Sequence, residues 1–143
     1  MKRVFVDTGG WIGTAVARDQ THEAAATYAR RLADGRVPLL TTNYVLAETY
    51  TRIRYDDGHA KALVLDGLIR EMIRGGQLSI GWVTPAIHEE ALALFRRYAD
   101  HEFSIVDCAS FVVMRDEGIS EAFTTDRHFE QAGFTCLLPA SAT

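Results

Sequence analysis

Four carboxylates in this sequence stand where a carboxylate needs a reason. Asp7 follows the apolar run Arg3-Val4-Phe5-Val6, and Asp126 follows Glu121-Ala-Phe-Thr-Thr125. Glu48 lies in Asn43-Tyr-Val-Leu-Ala-Glu48, and Asp107 in Phe103-Ser-Ile-Val-Asp107, both behind apolar neighbours. A carboxylate in a mostly buried stretch needs a partner, because unpaired burial costs several kcal/mol. Carboxylates gathered at one place repel one another, and a divalent cation is the simplest charge that holds them. Oxygen-only ligands select hard ions, Mg²⁺ or Mn²⁺, over zinc. One or two such ions can activate water and stabilise the leaving oxygen in phosphodiester hydrolysis.

Each acid also has a purely structural reading. Ser104-Ile-Val-Asp107 has the pattern of a capping box. Asp126 can cap a short helix after it, and Asp7 can be a strand-end turn residue. Glu48 can pair with Arg52 one helical turn on. The two readings part on whether the fold carries all four acids to one edge of a sheet.

The elements that must do so alternate along the chain. Short apolar strands are expected at 3–6, 37–40, 77–83, 121–125 and 134–138. Between them run helix-like segments. "TGGWIGTAVARD" can turn into a helix after the first strand. "THEAAATYARRLADG" has Thr21 as a cap and Gly35 just beyond its end. Two long helices, "TNYVLAETYTRIRYDDG" and "HAKALVLDGLIREMIRGG", follow the second strand as a hairpin. Thr84 and Pro85 mark a strong start for the next helix. "SIVDCASFVVMRDEG" and the short "DRHFEQAG" complete the set. This alternation predicts an α/β fold with a central, mostly parallel sheet of about five short strands flanked by helices. In open parallel sheets ligands bind beyond the C-terminal ends of the strands, which is where Asp7 and Asp126 fall.

A chain of 143 residues suits one domain, expected over 1–138 with a loose tail at 139–143. Cys108 and Cys136 lie far apart in no metal-binding spacing and read as free thiols of a reducing, cytoplasmic setting. No signal peptide and no membrane span is expected. The net charge of −4 looks wrong for a nucleic-acid binder, but 13 of the 15 basic residues are arginine. Arginine suits bidentate phosphate contacts, although genome bias also enriches it. With four of the 19 acids held at a cation, the other 15 balance the 15 bases.

The stretches "VFVDTGGWI", "TTNYVLAETYTRI", "FSIVDCASFVVMRDEGI" and "AFTTDRHFEQAGF" resemble the PIN-domain nucleases, and among them the small VapC-like toxins of toxin–antitoxin pairs. They cover nearly the whole chain in the family's order. The resemblance implies a Mg²⁺- or Mn²⁺-dependent endoribonuclease with an acidic quartet at Asp7, Glu48, Asp107 and Asp126. Thr8, Ser104 and Thr125 match polar residues that support the quartet. Asp7, Asp107 and Asp126 would hold metal, with Glu48 completing the site. The resemblance also implies an RNA substrate, an antitoxin peptide lying in an apolar groove, and a homodimer. Gly9-Gly10 depart from the serine or asparagine and apolar residue of many relatives. Glycine there removes a side-chain group near the metal, or lets backbone N–H groups approach a phosphate.

Other residues carry two readings. His128 is read as a support for the short helix rather than a base. Phe103, Phe111 and Phe129 read as core, while Trp11 can be core or a base-stacking surface. Of eight arginines able to meet phosphate (Arg18, Arg30, Arg31, Arg52, Arg54, Arg96, Arg97 and Arg127), Arg127 beside Asp126 is the foremost. A phosphoaspartate receiver would want paired early acids and a late lysine. A dehalogenase-like phosphatase would want a second aspartate where Gly9 stands. Within the resemblance, a non-catalytic binding module and an RNA-processing nuclease are the alternatives.

Overall fold

A computed structural model of the chain describes residues 2–140. The last part of the expected tail, from 141 on, lies outside the described residues. The elements run β1 (Val4–Val6), α1 (Thr8–Ala15), α2 (His22–Asp34), β2 (Leu39–Thr42), α3 (Asn43–Asp57), α4 (His59–Arg74), β3 (Leu78–Gly81), α5 (Pro85–Arg97), α6 (Ile105–Glu117), β4 (Glu121–Phe123), α7 (His128–Gln131) and β5 (Thr135–Cys136).

The strands form one sheet in the order β3-β2-β1-β4-β5, and every pairing is parallel. The expectation of a mostly parallel sheet was therefore too cautious. All three residues of β1 and all four of β2 are buried, as strands covered on both faces must be. The chain builds outward from β1 to β2 and β3, then returns to add β4 and β5 on the other side. The strand order reverses between β1 and β4, and a doubly wound sheet opens its ligand crevice at that point.

Local chemistry sets the element ends. Thr84 accepts a hydrogen bond from the Ile87 N–H at 3.3 Å, with Pro85 opening α5. Ser104 and Asp107 make the expected reciprocal capping box on α6, and Gly118 closes it in the left-handed conformation. Thr21 precedes α2 as expected but caps nothing, because its hydroxyl donates to Asp19 instead. β2 sits two residues later than the sequence suggested. Val37 lies in the turn that closes α2, its N–H bound to the Leu32 carbonyl, so the strand starts at Leu39 and takes in Thr41 and Thr42. β3, β4 and β5 are all shorter than expected, and the expected strand 121–125 ends at Phe123.

The core lies between sheet and helices. Phe5 of β1 meets Phe129 of α7 with ring centres 6.3 Å apart, and Phe129 meets Phe111 of α6 edge-on at 5.1 Å. These aromatics are buried, as is Phe103. Trp11 is core as well: its indole N–H donates to the Thr41 hydroxyl, which in turn donates to the Val6 carbonyl. Cys108 and Cys136 are free. Among the described residues no helix is long and apolar enough to cross a membrane.

Candidate active site

The four acids meet. Asp7, Glu48, Asp107 and Asp126 line one cleft of about 350 Å³, together with Thr8, Gly9, Ile12, Asp19, Gln20, Thr21, Arg52 and Thr125. The cleft opens at the C-terminal ends of β1 and β4, where the strand order reverses.

Asp7 is the first residue beyond β1, and its backbone N–H donates to the Phe123 carbonyl at the tip of β4. Its side chain is buried, and Oδ2 accepts a 2.8 Å hydrogen bond from the Thr124 hydroxyl. Burial raises its carboxyl pKa from 3.8 to about 7, and nearby Asp107 and Asp126 push the same way. The Thr124 hydrogen bond offsets this only in part. A buried carboxyl held this far above its ordinary range fits a group that ionises against a cation.

Asp107 is brought in by the first turn of α6. Its Oδ2 accepts from the Ser104 N–H at 3.1 Å, while its own N–H donates to the Ser104 hydroxyl at 2.9 Å. Burial raises its pKa too, against the pull of the Ser104 N–H. Asp126 lies in the loop after β4: its N–H donates to Thr124 Oγ1 at 3.1 Å, and its Oδ1 accepts from the His128 N–H at 2.9 Å. The capping reading of Asp107 therefore holds, whereas the cap position of α7 is Arg127 and Asp126 takes the His128 N–H from one residue earlier; neither contact competes with the site. Each contact uses one carboxylate oxygen and fixes the other relative to the cleft. Glu48, half-buried on α3, makes no ion pair with Arg52 among the described residues, although both face the cleft.

Of the supporting residues, Thr8 is buried and accepts from the Thr49 hydroxyl at 3.3 Å. Ser104 is the cap just described. Thr125 lines the cleft but binds no acid; the neighbouring Thr124, absent from the sequence expectation, does. His128 opens α7, in keeping with its reading as a support for the short helix. It does more than support α7, since Nδ1 lies 3.0 Å from Asp107 Oδ2 and 3.3 Å from Asp126 Oδ1. One ligand atom from each of Asp107, Asp126 and His128 falls within 4.8 Å of the others, a spacing that can hold one metal ion. Asp19 is a fifth acid on the cleft wall, with its Oδ2 taken up by the N–H and hydroxyl of Thr21. Arg127, foremost among the arginines expected at phosphate, is instead tied to Glu130 and the Leu138 carbonyl.

Residues 4–135 match the PIN domain. Over 137 residues, 95% of this chain and 98% of the other, the sequence is 33% identical to the 23S rRNA-specific endonuclease VapC20 of Mycobacterium tuberculosis. It is 27% identical to a VapC ribonuclease of Archaeoglobus fulgidus over 114 residues, 78% of this chain and 70% of that one. The crystal structure of VapC20, described as a sarcin-ricin loop cleaving toxin, matches with a TM-score of 0.80 over 95% of this chain and 99% of that one. VapBC2 from Rickettsia felis shares the fold at 10% identity and a TM-score of 0.66, covering 93% of this chain and 95% of that one. The receiver and dehalogenase-like readings fall away with these matches. The chain belongs to the PIN-domain family.

Proposed function

We propose that this chain is a metal-dependent endoribonuclease, the toxin of a toxin–antitoxin pair, and that Asp7, Glu48, Asp107 and Asp126 are its catalytic acids. The observation that carries the reading is the convergence of these four acids, from four separate elements, on one cleft at the switch point of the sheet. The donors are carboxylate oxygens, which favours Mg²⁺ or Mn²⁺. The likeness to VapC20 over nearly the full length of both chains makes ribosomal RNA the first substrate to test.

Asp7, Asp107 and Asp126 would hold the ion directly or through water. When bound, the ion supplies a water of lowered pKa and countercharge for the phosphate. Glu48, the least constrained of the four, orients the attacking water in line with the scissile bond. Arg52, on the same wall and free of acid partners among the described residues, meets a phosphate oxygen of the bound strand. Water rather than the ribose 2′-hydroxyl is the nucleophile, so the products carry a 5′-phosphate and a 3′-hydroxyl.

An antitoxin partner is supported by the surface of α4. Leu63, Val64 and Leu68 are more than half exposed, as is Trp82 just after β3. Trp82 also lines a separate cleft of about 390 Å³ with Leu46, Tyr50, Ile69, Ile73 and Ile80. Apolar surface of this kind marks a protein-binding face, and a homodimer is the expected state of the free toxin.

The test is cleavage of ribosomes and total RNA by the purified chain in Mg²⁺ or Mn²⁺ against EDTA, with Asp107→Asn beside wild type. Metal-dependent cuts bearing 5′-phosphates, lost in the variant, are expected. Cleavage that survives EDTA, or survives in a folded Asp107→Asn protein, rejects the site assignment.

A further inference from the structure

We propose that His128 is a positioning residue for the acid pair Asp107 and Asp126. Its Nδ1–H is given to Asp107 Oδ2 and stands 3.3 Å from Asp126 Oδ1, which leaves Asp107 Oδ1 and Asp126 Oδ2 presented together to the cation. The inference rests on the metal-dependent reading above.

The geometry carries it. Nδ1 lies 3.0 Å from Asp107 Oδ2 and 3.3 Å from Asp126 Oδ1. Ionised carboxylates only accept hydrogen bonds, so the shared nitrogen is the donor. The same two oxygens already take backbone donors, Ser104 N–H on Asp107 Oδ2 and His128 N–H on Asp126 Oδ1. Asp107 Oδ2 therefore receives two donors, and Asp126 Oδ1 has one donor with the Nδ1 nitrogen 3.3 Å away. Neither Asp107 Oδ1 nor Asp126 Oδ2 accepts a hydrogen bond among the described residues.

His128 is built to stay in place. Its ring stands edge-on to buried Phe103 with centres 5.6 Å apart, and the next residue, Phe129, is fully buried between Phe5 and Phe111. The acids themselves ride on different parts of the chain, one on α6 and one in the loop after β4. Among the described residues, His128 is the one side chain hydrogen-bonded or ion-paired to both. An imidazole acting as a ligand through Nδ1 would have to give up its hydrogen bond to Asp107 Oδ2. Carboxylate ligands held by outer hydrogen bonds commonly lose about 10–100-fold in metal affinity when that support is removed.

The experiment is Mn²⁺ binding to the purified full chain, read by electron paramagnetic resonance, for wild type, His128→Ala, His128→Asn and His128→Gln. Thermal unfolding in EDTA shows that each variant is folded. His128→Ala is expected to bind Mn²⁺ about 10–100-fold more weakly. His128→Asn, whose amide N–H reaches the place of Nδ1–H, is expected to recover most of the loss. His128→Gln, whose amide reaches the place of Nε2, is not. Pulsed measurements on the wild-type Mn²⁺ complex should show no directly bound histidine nitrogen. Wild-type affinity in His128→Ala, no recovery in His128→Asn, or a strongly coupled nitrogen would each overturn the proposal. Wild-type protein that takes up no Mn²⁺ fails earlier and distinguishably: it removes the metal reading itself, and the proposal with it.

Discussion

The Thr124 hydroxyl donates a 2.8 Å hydrogen bond to Asp7 Oδ2, joining the ends of the two strands that flank the switch point. Thr124 Oγ1 in turn accepts the Asp126 N–H at 3.1 Å. One hydroxyl thus ties down two of the four acids, and it is completely buried.

Thr124→Val keeps the shape and removes that hydroxyl. It leaves the Asp126 N–H without its acceptor and Asp7 without its donor, so a stability loss of about 1–3 kcal/mol is expected. Mn²⁺ affinity and cleavage should fall with it. Thr125→Val is the control. Its hydroxyl makes no hydrogen bond among the described residues, so a change within about 0.5 kcal/mol is expected. Urea unfolding of both variants checks the contrast, and equal effects would deny Thr124 its special place.

Much of this site was legible in the sequence, and the misses share a cause. The alternation of apolar runs and helical segments located the acids at strand ends and helix starts. It did not locate hydroxyls. Thr41, Thr42 and Thr124 are all fully buried, each with its oxygen satisfied by a distant or capping partner. A polar residue that finds its partner only in the folded chain reads as a boundary in the sequence. For this reason β2 was placed two residues early, and Thr125 was chosen over Thr124. His128 was undervalued for the same reason, since half of its meaning is Asp107, a residue on another helix.

The glycine pair behind Asp7 divides into two different constraints. A Cβ on Gly10 would lie 2.2 Å from the Phe123 carbonyl oxygen and 2.6 Å from the Phe123 ring. That carbonyl cannot retreat without losing the Asp7 N–H. Gly10→Ala is therefore expected to cost about 3 kcal/mol or more, at or beyond the usual range for overpacking. A Cβ on Gly9 meets the Thr125 hydroxyl at 3.0 Å, a side chain that can turn. Gly9→Ala should cost about 1 kcal/mol or less. Chemical unfolding of the two variants measures the difference, and an undisturbed Gly10→Ala protein would contradict the close approach of α1 to β4.

Arg52 shares the cleft with the acids yet pairs with none of them among the described residues. A cation left free beside a carboxylate cluster suits an anionic strand. Arg52→Ala should weaken RNA binding across sequences, flatten the salt dependence by about one counterion, and leave Mn²⁺ affinity unchanged. Binding of a non-cleavable RNA across a salt series reads all three. An unaltered salt slope would remove Arg52 from the strand's path.

Asp7 makes stability in EDTA depend on pH with a definite sign. Burial holds its folded-state pKa at about 7, against an ordinary value of 3.8. Between those values the folded chain keeps a proton that the unfolded chain has lost. The stabilisation from this group is therefore complete below about pH 4, declines as pH rises, and is gone above about pH 7. Asp107, raised in the same direction, adds to the trend. In EDTA, raising pH from about 5 to 8 should cost on the order of 2–3 kcal/mol through Asp7. Asp7→Asn, neutral at both pH values, should lose that part of the decline and be the more stable protein at about pH 8. Mn²⁺ acts in the opposite sense, because it binds the ionised carboxylate, so its stabilising effect should grow through pH 7 in wild type and be sharply reduced in the variant. Melting curves at the two pH values, with EDTA and with Mn²⁺, test the sign directly. A wild-type decline in EDTA no steeper than that of Asp7→Asn would show that Asp7 is already ionised without a cation.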